Sequence, residues 1–472
     1  MAGLQVGSLE LKKLRAAQET VPKWMNMRWL RPKRILASFV VSLFLGAGYY
    51  GIQYCKGFPV PLWYIRWVTS KSLVFGKDIQ GPRIYPNSNQ VTNQIEARPP
   101  GQVGARVDGD KSIHNYSKLR QAWKVRLPKG VFGAVTLSGN SVFVGCDDGN
   151  TYELNQSNGE ILRRFYTGTE VTPAPLVWNS RLFIGEGMHT SHHSRIYSFD
   201  LQTGEFLGAF ETLGHTEGEP FIATFSGVTS MFVVAGRDGV YSIDPMTMQQ
   251  RWHRTIGHID AEVRVAGSLV FVGTGVEKGY RLRSHQAFAL DFISGEDQWR
   301  AELAESSWMP PVLMGHEVCF GTGEIYSVSH FGQLACFEQL SGKASHTLST
   351  PAPLLGVPLQ LGEILVTSDL EGQVCAFQWP SAIQLWCRKT VGNKTFASVS
   401  YDAGHAGEGG LVYPTSQDGI LVLDEKTGKT LKNWLPQKPE GAWRKSFSRV
   451  VMSPQGWFIS DSLGQIRKLT NS

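Results

Sequence analysis

The sequence predicts an all-β fold: an eight-bladed β-propeller with N-terminal strand closure, preceded by a single transmembrane helix and a flexible linker. Three observations carry that reading. Short β-branched and aromatic runs, punctuated by Asp-Gly and Thr-Gly pairs, recur eight times. Their interval of about 45 residues suits four short strands, the size of a propeller blade. An uncharged stretch of about 20 residues, long enough for a bilayer core, follows a cationic leader.

Residues 1–34 form a basic tail. They hold eight Lys/Arg against Glu10 and Glu19, a surplus of six that equals the +6 of the whole chain. The remaining residues balance, so the body lacks the cationic surplus that neutralises phosphates, and nucleic acid is excluded as a partner. With 42% hydrophobic residues the chain is rich enough for a packed core, which excludes wholesale disorder.

Residues 35–55 carry no charge, and Tyr49, Tyr50 and Tyr54 fall near the far end, where aromatic rings favour the membrane–water interface. The cations precede the span, which places residues 1–34 in the cytoplasm and everything after Lys56 outside. That is the topology of a single-pass inner-membrane protein with a periplasmic propeller, although a secretory-pathway membrane satisfies the same rule. Gly46 and Gly48 sit where a signal peptide is cleaved, but a leader of 34 residues is long for one. Lipidation at Cys55 is rejected, because Gln53 and Tyr54 stand where small residues are needed.

Residues 56–118 are expected to be a juxtamembrane aromatic segment and a linker. Trp63 and Trp67 lie four apart, as in a short helix along a membrane surface or a loop packed on the main domain. From Lys77 the composition turns to Pro, Asn, Gln and Gly with no apolar period, the mark of a tether.

Residues 119–472 hold the repeats. One unit reads Ser141-Val-Phe-Val-Gly145, Asp148-Gly149, Thr151-Tyr-Glu-Leu-Asn155, Asn158-Gly159. A later one reads Leu411-Val-Tyr413, Asp418-Gly419, Ile420-Leu-Val-Leu-Asp424, Thr427-Gly428, Trp434. The first turn position of the unit recurs at Gly149, Arg195, Gly239, Gln286, Gly332, Gly372, Gly419 and Gly464, at intervals of 40 to 47 residues. Gly pairs of this kind supply the positive φ of tight hairpins. The final unit stops after Leu469 without an outer strand, whereas the first is preceded by Trp123-Lys-Val-Arg126, which resembles the outer strands at Trp252, Trp299, Trp386 and Trp434. The segment at Trp123 is therefore expected to complete the last blade.

These repeats resemble the quinoprotein-like (PQQ-repeat) propeller superfamily, which contains quinone dehydrogenases and non-catalytic BamB-like scaffolds. Fold alone does not choose between them. The dehydrogenases imply an adjacent Cys-Cys ring over the cofactor and long inserts carrying Ca²⁺ ligands. Here Cys55, Cys146, Cys319, Cys336, Cys375 and Cys387 are never adjacent, the blades are bare, and no Asp/Glu/Asn cluster offers six to eight oxygens. No cofactor, metal or catalytic residue is expected. The scaffold members fit better, although the lipobox is missing. Their partner-contacting Asp-rich loop has no counterpart, the nearest stretch being Ala304-Glu-Ser-Ser-Trp-Met-Pro-Pro-Val312.

The repeat register places three long loops between the same pair of strands, hence on one face of the disc. They carry His189, His192 and His193; Lys278, Tyr280, Arg281 and Arg283; and His330. Loops on a rigid frame are where binding concentrates, so these eight residues are the candidate partner-binding set. The bland alternative is solvated insertions. The three clustered histidines have no Cys or carboxylate beside them in sequence, so a zinc site is not expected there. Five cysteines in the propeller cannot all pair within it. Cys319 and Cys336, on neighbouring strands, are placed to bridge, with buried free thiols the alternative. The expected function is a non-enzymatic scaffold for protein partners in the cell envelope. The alternatives are a sensor of a small molecule or glycan in the central funnel and, third, a quinoprotein dehydrogenase.

Overall fold

The computed structural model describes residues 84–86, 106–107 and 116–471, apart from 190, 276–284, 326–330, 391–396, 404–408, 416–418, 437–445 and 447. The expected tail and span lie outside these residues. Among the described residues no helix is long and apolar enough to cross a membrane.

Eight antiparallel four-stranded sheets form the blades, seven of them from consecutive strands, each running from a short inner strand to an outer one. Blade 1 comprises Thr136–Ser138, Ser141–Cys146, Asn150–Asn155 and Ile161–Tyr166. Blades 2 to 7 begin on Leu176–Trp178, Phe221–Phe225, Arg264–Ala266, Val312–Met314, Leu359–Leu361 and Ser400–Asp402. Blade 8 comprises Val451–Ser453, Gly456–Ser460, Gln465–Thr470 and, as its outer strand, Arg120–Arg126 from the start of the repeat region. Arg126 pairs with Gln465 and Arg120 with Thr470, so the expected closure is present.

Closure also shows in the core. The described residues form eight hydrophobic clusters, one between each pair of neighbouring blades. Phe232, Val240, Val270 and Phe288 join blades 3 and 4, and Trp123, Val142, Tyr152, Phe458 and Ile466 join blades 8 and 1. The second and third strands of a blade lie between two other sheets, which is why Leu269–Gly273 is buried on both faces. Outer strands face solvent on one side, so in Asp297–Glu302 only Trp299 is buried.

The repeated Trp and Gly meet across blade boundaries. The indole Nε1–H of Trp252, on the outer strand of blade 3, donates to the Phe292 carbonyl of blade 4 at 3.0 Å. The ring lies on Gly295, whose φ is +74° and where a Cβ would stand 2.6 Å from the indole. The same pairing joins Trp299 to Gly342, Trp386 to Gly428 and Trp123 to Gly159. The interval of one repeat between these residues thus has a mechanical meaning: each glycine is the floor of the preceding blade's tryptophan. Between blades 1 and 2, Arg163 substitutes, donating to the Leu201 carbonyl at 2.7 Å.

Asp residues open the same hairpins because their carboxylates satisfy the turn's amides. Asp200 Oδ1 accepts from the backbone N–H groups of Gln202 and Thr203. The Thr203 amide, with the Thr203 hydroxyl and the Gln202 amide, holds that carboxyl below its ordinary range against the opposing effect of burial.

Three findings go beyond the sequence reading. Within the stretch assigned to the linker, Ile84–Pro86 pairs antiparallel with Ile161–Tyr166 at the rim of blade 1. Arg106–Val107 pairs parallel with Ser400–Asp402 at the inner edge of blade 7. Strands of two and three residues are too short to leave a pattern. Four cysteines also bridge in two pairs directly opposite across adjacent strands, Cys319–Cys336 in blade 5 and Cys375–Cys387 in blade 6. The sequence leaves the first pair open between a bridge and buried thiols and carries no sign of the second. Cys146 is a buried free thiol, its pKa pushed up to about 12, chiefly by burial.

Candidate functional site

In each blade the turn between strands two and three, and the connector to the next blade, emerge on one face of the disc; the other two turns emerge on the opposite face. On the first face, over blades 2 to 5, histidines and carboxylates from several blades meet. Lys278, Tyr280, Arg281, Arg283 and His330 lie outside the described residues. The strand ends that carry their loops, Gly273 with Ala287 and Gly323 with Gly332, are paired on this face.

His189, His192 and His193 are described, and they diverge. His189 Nδ1 lies 3.3 Å from Glu217 Oε1, and its backbone N–H also donates to that carboxylate. The hydrogen bond that His189 donates to Glu217 raises the His189 pKa, against a smaller opposing effect of burial. His192 Nδ1 accepts from Arg237 Nη2 at 2.8 Å. His193 lies 3.6 Å from Glu211, and burial lowers its pKa. The carboxylates missing beside these histidines in sequence arrive from other elements.

A tighter constellation lies next to them. His215, on the connector from blade 2 to blade 3, places Nε2 2.8 Å from Asp260 Oδ1. His258, on the connector from blade 3 to blade 4, places Nε2 2.8 Å from Asp260 Oδ2. Both histidines are buried, and their ring centroids are 5.3 Å apart. Burial pushes the Asp260 carboxyl upward, but its electrostatic interaction with His258 and the hydrogen bonds from both imidazoles outweigh it, and the group stays below the ordinary carboxylate range. Sequence reasoning missed these residues, yet a signal exists: Gly214-His215-Thr216-Glu217 and Gly257-His258-Ile259-Asp260 are the same Gly-His-x-acid string at the same place in successive repeats. A second group, His285, Glu305 and Glu324, brings its ligand atoms within 4.8 Å of one another over blades 4 and 5.

Beneath this face Glu186 is buried beside Tyr197, whose hydroxyl donates to Glu186 Oε2 at 3.2 Å. Burial raises its pKa to about 7, opposed by the charge of Arg195. At the hub, Glu219 precedes the inner strand of blade 3 and Arg449 that of blade 8; they meet at 3.5 Å, so the pair spans the central opening between non-adjacent blades. Arg264 pairs with Glu262 at 2.9 Å and lies over the Phe221 ring. Burial raises the Glu219 pKa, countered by Arg449. The hub mouth is thus crossed by charges already paired with one another.

Comparison with known proteins places this architecture. No curated protein sequence matches the chain. Among solved structures it is similar to BamB from Moraxella catarrhalis, with a TM-score of 0.55 and 14% identity over 75% of this chain and 99% of that one. It is equally similar to the computationally designed Ika8 protein, at 0.54 and 14% over 74% and 99%. A europium-containing methanol dehydrogenase follows at 0.48 and 12%, over 67% and 87%. Residues 107–301 and 283–455 match the family described as outer membrane protein assembly factor BamB. With the eight-bladed ring and most of the chain matched, this protein belongs to the BamB family of PQQ-repeat β-propellers.

Proposed function

We propose that the protein is a membrane-anchored, non-enzymatic scaffold of the cell envelope. Its propeller is periplasmic and offers one face to protein partners. The observation that carries this reading is the family match along 107–301 and 283–455. Three further features support it. The loop-bearing face gathers unlike polar groups from several blades, as a protein-binding surface does. Paired charges cross the hub mouth where a quinone dehydrogenase would seat its cofactor. Two disulfides suit an oxidising compartment. The uncharged stretch at 35–55, after the basic tail, is the proposed anchor. The anchor differs from that of a lipidated outer-membrane factor, since Cys55 lacks a lipobox, and the scaffolded complex need not be the barrel-assembly machinery.

The test is chemical cross-linking in intact cells, detergent extraction and mass spectrometry. A defined set of envelope proteins should co-purify with the wild-type chain and be lost from Arg281→Glu/Arg283→Glu. Recovery of no specific partner, together with a melting temperature that rises with a quinone and Ca²⁺, would replace the scaffold by an enzyme.

A further inference from the structure

We propose that His215, His258 and Asp260 form a binding site for a divalent transition-metal ion, with Zn²⁺ the ion the donor set suits. Two imidazole nitrogens and a carboxylate oxygen, all within 4.8 Å of one another, are the N₂O set of a three-ligand zinc centre with an open fourth position. Ca²⁺ and Mg²⁺ are disfavoured, because they need more oxygens than one carboxylate supplies.

The charge balance favours a cation. With neutral imidazoles the three donors carry one negative charge, and Glu217 adds another two residues from His215. As found, Asp260 receives both Nε2 atoms at 2.8 Å, a proton-bridged arrangement. In a tetrahedral zinc site, ligand atoms at about 2.0 Å from the metal stand about 3.3 Å apart. The contact to the ligating oxygen therefore opens by only about 0.5 Å when an ion replaces its proton.

The frame is rigid. The Gly236 and Ile259 backbones exchange two hydrogen bonds, at 3.1 and 3.0 Å, tying the blade 3 turn to the connector that bears His258 and Asp260. The His215 ring rests against Gly236, where a Cβ would stand 2.6 Å from it. The Thr216 hydroxyl donates to the Glu186 carbonyl at 2.6 Å, and the Gly275 amide to the His258 carbonyl at 2.9 Å. Trp308 borders the His258 ring, with centroids 6.3 Å apart. Both histidines are more than nine-tenths buried, while the Asp260 side chain keeps 14% exposure, which leaves one side for the ion to enter and a water to complete the shell. The two connectors come from successive repeats, so the site exists only when the blades pack.

The test uses untagged full-length protein in detergent, stripped with chelator and titrated with Zn²⁺ by calorimetry. Saturable binding is expected, weakened about tenfold or more in His215→Ala and in His258→Ala, comparably in Asp260→Asn, and unchanged by excess Ca²⁺. His285→Ala, which disrupts the other His/Glu group, should leave this affinity unchanged. X-ray absorption on the zinc-loaded wild type, which needs no variant to fold, should show two imidazole scatterers at about 2.0 Å. Absence of saturable binding, binding indifferent to His215 and His258, or a shell of oxygens alone or with thiolate would overturn the assignment.

Discussion

If tryptophans of one blade rest on glycines of the next, the contact at Gly295 has a cost that can be separated into parts. Gly295 has φ +74°, and an added methyl carbon would stand 2.6 Å from the Trp252 ring, about 1 Å inside ordinary carbon–carbon contact. Gly295→Ala therefore meets two penalties. Left-handed backbone in a non-glycine residue costs about 1–2 kcal/mol. Displacing the indole loosens its packing and its 3.0 Å bond to the Phe292 carbonyl, about 1–2 kcal/mol more. Gly362 isolates the first penalty, since it has φ +61° with nothing within 4 Å of the added carbon. Urea unfolding of the full-length protein, followed by far-ultraviolet circular dichroism, should place Gly295→Ala about 3 kcal/mol below wild type and Gly362→Ala about 1. Trp252→Ala alone should cost about 3–5 kcal/mol. In that background the Gly295→Ala cost should fall to the Gly362→Ala value, because the ring it strikes is gone. Equal costs for the two glycine variants in the wild-type background, or a Gly295→Ala cost unaltered by Trp252→Ala, would refute the interlock.

Three other outcomes follow from the same structure. Glu186 has an ordinary pKa of 4.5 and about 7 when buried in the fold, so between those values the folded state holds a proton the unfolded chain has released. Stability should then fall as pH rises, by about 3 kcal/mol across the window, and Glu186→Gln should flatten that slope in pH-dependent melts; an unchanged slope would count against it. Asp461→Ala takes from Arg467, fully buried, the carboxylate bonded to it at 2.9 Å, and about 3–5 kcal/mol should be lost in denaturant unfolding. Peptide mapping without reductant should recover Cys319 linked to Cys336 and Cys375 linked to Cys387, with Cys146 alkylated only after denaturation. Replacing both members of the first bridge by Ser should cost about 3 kcal/mol, as expected for a loop of 17 residues.

The ring was legible in the sequence because its punctuation is local. Left-handed glycines at Gly149, Gly239, Gly372, Gly419 and Gly464 are forced by the turn after the second strand, and no other residue type adopts that backbone as cheaply. Closure was legible because the last unit lacks an outer strand and the first has one to spare. The constellation of His215, His258 and Asp260 was not, because His215 lies 43 residues before His258, on a different connector, and the chemistry of these connectors varies from blade to blade. Only alignment of successive repeats exposes the shared Gly-His-x-acid string. Sequence proximity instead pointed to His189, His192 and His193, which the fold turns toward Glu217, Arg237 and Glu211 respectively. Pairing of Cys375 with Cys387 was hidden by a register shift at Ala376/Phe377, which makes simple counting along the hairpin fail.

Site-specific photocross-linking in living cells tests the scaffold claim most directly. A benzophenone side chain replaces His189 or Glu371 on the loop-bearing face, and Lys343 or Lys426 on the turns of the opposite face. The account predicts adducts with a defined envelope partner from the first pair of positions and none from the second. Adducts confined to the opposite face, or no adduct from either, would contradict it.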